Sequence, residues 1–311
     1  MTPDGDAMNI YYPATEELPL PEGHRFPAAK YRALLETVLS EKIFAEHILT
    51  ASPPASEAEL LLAHDAAYVT AVMSGTLTAD AQRRIGLPWS PILAARARAV
   101  VGGTIAAARS AMQHGLSGQL AGGTHHAHAG FGSGYCTFND LAVAALAVRA
   151  AGAARRIAIL DLDVHQGDGT AAILAGDKAP DVLTVSVHGE RNFPFRKVAS
   201  DLDIALADGT EDTSYLGAVA DALAAVASFR PDLVLYQAGV DGLASDTLGR
   251  LALTHEGLAE RDRIVIEHCR RRGVAIAIVA GGGYAQPISE TVRAYAATWR
   301  VAAELFGLDR P

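Results

Sequence analysis

From about residue 90 onward, short β-branched apolar runs alternate with longer stretches whose apolar residues recur at helical spacing. That alternation predicts an α/β chain with a parallel sheet covered by helices on both faces. The runs expected as strands are residues 118–122, 156–164, 182–188, 233–238 and 274–280. Three helices are framed by their ends. Ser90 suits an N-cap, Pro91 the first helical position, and Gly115 follows the last turn. A second helix opens near Thr137, with Asp140 three residues on as capping-box partner, and stops at Gly152. A third covers residues 254–272; Arg270, Arg271 and Arg272 suit its negative end, and Gly273 closes it. No linker, charge block or repeat divides the chain, so one domain over residues 1–311 is expected.

Half of the 311 residues are hydrophobic and 20% are charged, enough to build a large core and too apolar for a disordered chain. The net charge of −9 argues against direct nucleic-acid binding through a basic surface. Two cysteines, Cys136 and Cys269, make no disulfide framework and no CxxC motif. The first residues carry neither a basic n-region nor an apolar h-region. The stretch read as most apolar, residues 141–148, is far short of the roughly 20 residues that span a bilayer. A soluble, reduced, cytoplasmic protein without a membrane partner is therefore expected; its oligomeric state is not readable.

In open α/β sheets ligands bind beyond the carboxyl ends of the strands. The residues there are GGTHHAH, DLDVHQGDG, HGERNFPF, AGVDGLASD and GGGY. Asp161, Asp163 and His165 alternate at one strand end, so their side chains are expected on one face, with Asp241 ending another strand. Two aspartates and a histidine with a fourth position open describe a catalytic zinc site. One of these strand-end aspartates is equally open to the reading of a helix-capping residue. The tandem His125–His126 offers a general base and acid, with Asp161 and Asp168 as candidate orienting carboxylates. Tyr284 follows three glycines and suits an oxyanion donor. Neither GGGY nor GFGSG has the spacing of a nucleotide-binding loop.

In order and spacing these motifs, from about His24 to Tyr284, resemble the histone deacetylase superfamily. Gln166 in HQGDG and the segments HRFPAAKY and HGERNFPF are most similar to its class IV branch and bacterial relatives. The resemblance implies the arginase–deacetylase fold, a single domain with an eight-stranded parallel sheet flanked by helices. It implies Asp163, His165 and Asp241 as zinc ligands, with ferrous iron as an in-cell substitute. It implies His126 as general base oriented by Asp168, His125 as its partner oriented by Asp161, and Tyr284 polarising the carbonyl. A potassium ion is implied at Asp161, Ser186 and the backbone of Asp163, His165 and Val187. Gly134, Tyr135 and Phe193 match a narrow acyl-lysine tunnel, and Leu248 its rim. Tyr135 stands where many relatives carry phenylalanine, and no rim aspartate is found.

The activity so implied is metal-dependent removal of acyl groups from the ε-nitrogen of lysine in a protein or peptide. Alternatives are an acetylpolyamine amidohydrolase and a long-chain fatty-acyl-lysine deacylase. Glu190 near the mouth suits an acylated small amine, whereas Arg191, Arg196 and Lys197 do not. A two-manganese arginase would need a second ligand set. A non-catalytic binding module would be expected to lack a ligand, a histidine or the tyrosine.

Overall fold

The computed structural model describes residues 8–308; the ends of the expected domain, residues 1–7 and 309–311, lie outside them. The amino-terminal elements are β1 (Ile10–Tyr12), α1 (Lys30–Ser40), β2 (Leu49–Ala51), α2 (Glu57–Leu60), α3 (Ala66–Ser74) and α4 (Ala79–Ile85). The middle of the chain forms α5 (Pro91–His114), β3 (Leu116–Gln119), α6 (Asp140–Ala150), β4 (Ile157–Asp161), α7 (Asp168–Leu174), β5 (Val182–Gly189) and β6 (Leu202–Leu206). Then follow α8 (Asp212–Phe229), β7 (Leu233–Gln237), α9 (His255–Arg272), β8 (Ala275–Val279) and α10 (Ile288–Phe306). One sheet holds eight strands in the order β2-β1-β3-β8-β7-β4-β5-β6, and every pairing is parallel.

The central strands are apolar throughout because both faces are covered. Side chains alternate between two cores. Ile157, Ile159, Leu233, Leu235 and Ala277 pack with Val101 and Ile105 of α5 and Leu141 and Val148 of α6. Leu160, Val234, Tyr236, Ile276 and Ile278 pack with Val219 of α8, Val265 of α9 and Trp299 of α10. Burying each Ile, Leu or Val contributes about 1.5–3 kcal/mol. An exposed helix pair such as Arg271–Glu267, 2.6 Å apart, contributes about 0–1 kcal/mol. The helices are therefore held by their apolar faces.

The expected helix ends occur at two of three places. Ser90 Oγ accepts from the Leu93 N–H at 3.1 Å, and Thr254 Oγ1 from Gly257 N–H at 2.9 Å. The cap near Thr137 is corrected. Asn139 caps α6, accepting from Ala142 N–H at 2.9 Å. Asp140 turns away from the cap to accept from the Gly123 and Thr124 N–H groups at 2.9 and 2.7 Å. The strand expected over residues 156–164 ends at Asp161, so Asp163 and His165 belong to the loop beyond it. Three strands were not anticipated. β1 and β2 are three residues each, and β6 lies at the sheet edge with Asp203 amid its apolar residues. α5 is long and apolar enough, by length and composition, to cross a membrane, although residues 141–148 are the more apolar run. Here it is a core helix, packed on β3, β8 and α6.

His64 supports the loop that carries His125 and His126. Its Nδ1–H donates to the His128 and Ala129 carbonyls at 3.1 and 3.3 Å, and its Nε2 accepts from Asn139 N–H at 2.9 Å. This pattern needs the neutral ring, and burial pushes its pKa from 6.5 down to about 4. The unfolded chain takes up that proton near 6.5 and the folded chain does not. Stability is thus lost as pH falls, by about 1.4 kcal/mol per unit across that window. Urea unfolding between pH 7 and about 5 is expected to show a smaller loss for His64→Gln than for the wild type. Equal losses would contradict this assignment.

Candidate active site

β3, β8, β7 and β4 are neighbours in the sheet, although far apart in sequence. The loops leaving their carboxyl ends carry His125 and His126, Gly281–Tyr284, Asp241, and Asp163 to Asp168 respectively. The topology thus gathers the sequence-predicted catalytic and zinc-site residues at one edge.

Asp163, His165 and Asp241 are buried, and each offers a ligand atom within 4.8 Å of the others. His165 Nδ1 lies 3.1 Å from Asp163 Oδ1 and 3.0 Å from Asp241 Oδ2. The other two carboxylate oxygens are held by backbone. Gly282 N–H donates to Asp163 Oδ2 at 2.6 Å, and Val164 N–H to Asp241 Oδ1 at 2.9 Å. Gly282 permits this approach, since a Cβ there would run into the Asp241 carboxylate. Burial and repulsion from Asp163 push the Asp241 pKa up to about 7. Burial disfavours a charged His165, yet the two carboxylates outweigh it and raise its pKa to about 10. The cluster attracts positive charge and presents two hard oxygens and one imidazole nitrogen, a donor set that suits a divalent cation.

The two adjacent histidines have different partners. His126 Nδ1 donates to Asp168 Oδ1 at 2.7 Å, which leaves the Nε2 lone pair free. His125 Nδ1 donates to Asp161 Oδ2 at 2.7 Å, with the Gln237 amide 2.9 Å from the same nitrogen. Burial, reinforced by His125, drives the His126 pKa down to about 3 against the pull of Asp168. Burial also opposes charge on His125, but Asp161 and Asp163 outweigh it and raise its pKa to about 9. The two rings, with centroids 4.1 Å apart, are therefore pushed in opposite directions. Asp168 also accepts from His128 Nε2 at 3.0 Å, and the two bonds outweigh its burial to keep it ionised.

Tyr284 is placed by Asp246, which the sequence reading missed. Asp246 accepts from the N–H groups of Tyr284, Leu248 and Gly249 at 2.6, 2.8 and 2.9 Å, tying the β7 and β8 loops together. Lys30, also missed, is buried and donates to the Gly283 carbonyl at 3.0 Å, with its ammonium 4.6 Å from the centre of the Tyr284 ring. Burial, with Tyr31 and the nearby carboxylates, holds the Tyr284 hydroxyl far above its usual pKa, so it remains a donor. Gly134 and Tyr135 both adopt positive φ, 53° and 66°. For an aromatic residue that conformation is costly. A Cβ on Gly134 would sit 2.6 Å from His126 Cδ2, so the turn presses directly on the His126 ring.

A cavity of about 620 Å³ opens over these groups, lined by His125, His126, Asp163, His165 and Tyr284. Gly134, Tyr135, Phe193 and Leu248 line it as expected. Phe193 meets His126 edge-on at 4.8 Å, and Phe195 stands 86% exposed at the mouth. Asp161 and Ser186 are register partners on β4 and β5, and Ser186 Oγ lies 2.9 Å from His188 Nδ1. Of the charged residues expected near the mouth, Arg191 lines the cavity, whereas Glu190, Arg196 and Lys197 do not.

A family model described as the histone deacetylase domain matches residues 24–301. An uncharacterized protein of Picosynechococcus is 46% identical over 298 residues, covering 96% of this chain and 98% of that one. The acetoin utilization protein AcuC of Bacillus subtilis is 31% identical over 336 residues, covering 98% and 83%. A crystal structure of a deacetylase homologue from Aquifex aeolicus superimposes with a TM-score of 0.79 at 25% identity, over 98% of this chain and 86% of that one. The chain belongs to the histone deacetylase family, hydrolases that act on amides.

Proposed function

We propose that the protein is a zinc-dependent deacylase that hydrolyses the amide of ε-N-acyl-lysine in proteins or peptides, and that it accepts acyl groups longer than acetyl. The observation that carries this reading is the buried His126, oriented by Asp168 at 2.7 Å, beside the convergent Asp163–His165–Asp241 donor set, of which Asp163 and His165 line one cavity.

A zinc ion held by those three residues would polarise the acyl carbonyl and acidify a water molecule. His126 Nε2 takes the proton from the attacking water. The Tyr284 hydroxyl donates to the carbonyl oxygen as negative charge develops there. The proton then passes from His126 or His125 to the departing amine nitrogen. His125, kept protonated by Asp161, holds positive charge near the developing oxyanion. Asp161 and Ser186, with the backbone of Asp163, His165 and Val187, are the proposed potassium site.

The cavity lining favours lysine peptides over polyamines. Arg84, Arg96, Arg191 and Arg250 line it, and Asp163 is its one acidic residue among those described. A polycation would meet repulsion there. The same cavity also reaches Leu93, Ala97 and Val100 of α5, apolar lining that suits a longer acyl chain.

A lysine peptide bearing acetyl, octanoyl or myristoyl groups is expected to be hydrolysed, with activity lost to a chelator and restored by zinc. Turnover of acetylspermidine alone would contradict the reading. Tyr284→Phe should lower kcat by about 10²–10³, because the oxyanion loses a donor. His126→Ala should lower it by about 10²–10⁴. Wild-type turnover in either variant would remove that residue from its role.

A further inference from the structure

α5 is joined to the parallel strand β3 through Gly115, so its first turns lie at the same sheet edge as the catalytic loops. Leu93, Arg96, Ala97 and Val100 of those turns all line the cavity. Their i, i+3, i+4, i+7 spacing is a single helical face. Gly122, Gly123 and Thr124, which lead into His125, line the same region. Apart from Thr124, this stretch of lining is apolar except for one cation.

Arg96 is half-buried, with its guanidinium carbon 4.6 Å from the centre of the Tyr31 ring. Both residues line the cavity. Among the described residues Arg96 makes no ion pair; the nearby Glu17 is engaged with Arg32 at 3.5 Å. The other lining arginines differ. Arg84 is exposed over Phe131, and Arg191 and Arg250 share Asp208. Burial pushes the Arg96 pKa down, the sign of a desolvated cation without a full counter-charge. A guanidinium offers several N–H donors in one plane, and the Tyr31 hydroxyl can add another, which matches a carboxylate.

We infer that the Arg96–Tyr31 pair receives the terminal carboxylate of a dicarboxylic acyl group, of the succinyl-to-adipoyl class, carried on lysine. This specificity rests on the deacylase reading above. Water adds its oxygen to the acyl carbon, and the C–N bond breaks with its electron pair and a proton going to the lysine nitrogen. The products are a free dicarboxylate and unmodified lysine. A neutral acyl chain of equal length would leave the guanidinium desolvated and unpaired, which is the basis of discrimination.

The test compares a glutaryl-lysine peptide with the pentanoyl-lysine peptide of matched chain length, together with succinyl, adipoyl and acetyl forms, on the zinc-loaded wild type, Arg96→Met and Arg96→Lys. The ratio of kcat/KM for glutaryl over pentanoyl is expected to exceed one in the wild type. It should fall by about 10² in Arg96→Met and partly recover in Arg96→Lys. Peptide binding by fluorescence anisotropy reads the same ratio without requiring turnover. A wild-type preference for pentanoyl, or a ratio that Arg96→Met does not move, would overturn the assignment while acetyl hydrolysis still upholds the deacylase. If no acyl peptide is hydrolysed, the deacylase reading fails, and the anisotropy ratio alone decides for or against the carboxylate site.

Discussion

Asp163 and Asp241 are buried next to each other at the carboxyl edge of the sheet, with relative exposures of 1% and 0%. Taking such groups out of water costs several kcal/mol per ion unless hydrogen bonds and opposite charge compensate. The fold supplies both. Backbone N–H groups from Gly282 and Val164 hold one oxygen of each carboxylate, and His165 stands between the other two. Those bonds also fasten the β4, β7 and β8 loops together, so the electrostatic compensation and the shape of the site are the same set of contacts. A cation that binds the folded chain but not the unfolded one would add directly to stability.

The histidine pair shows how environment divides labour between identical side chains. His125 and His126 are consecutive, and each donates to an aspartate at 2.7 Å. Their pKa values nevertheless part, to about 9 and about 3, because Asp161 and Asp163 act on the first and the first acts on the second. Titratable neighbours pushed in opposite directions are a mark of acid–base chemistry. The arrangement depends on sheet order. β3 brings the histidines, and β4, three places along, brings both orienting aspartates.

Much of this was legible because buried parallel strands announce themselves as apolar runs, and their ends point to the site. Ser90 likewise marked the start of α5, and Gly273 the end of α9, through local chemistry alone. What escaped the sequence depends on tertiary partners. Asn139 caps α6 because Asp140 is claimed by Gly123 and Thr124, a competition invisible along the chain. Three-residue strands such as β1 are too short to show a period. Asp246 and Lys30 act through loops distant in sequence. Arg96 reads as one more charged residue of a helix, since periodicity does not distinguish a face turned to solvent from one turned to a cavity.

The central claim is that Asp163, His165 and Asp241 form one metal site that the chemistry requires. Zinc titrated calorimetrically into the chelator-stripped protein tests it most directly, with Asp241→Asn in parallel. Saturation at one ion per chain is expected in the wild type, with strongly weakened binding in the variant. Absence of zinc binding by the wild type, or equal binding by both proteins, would contradict it.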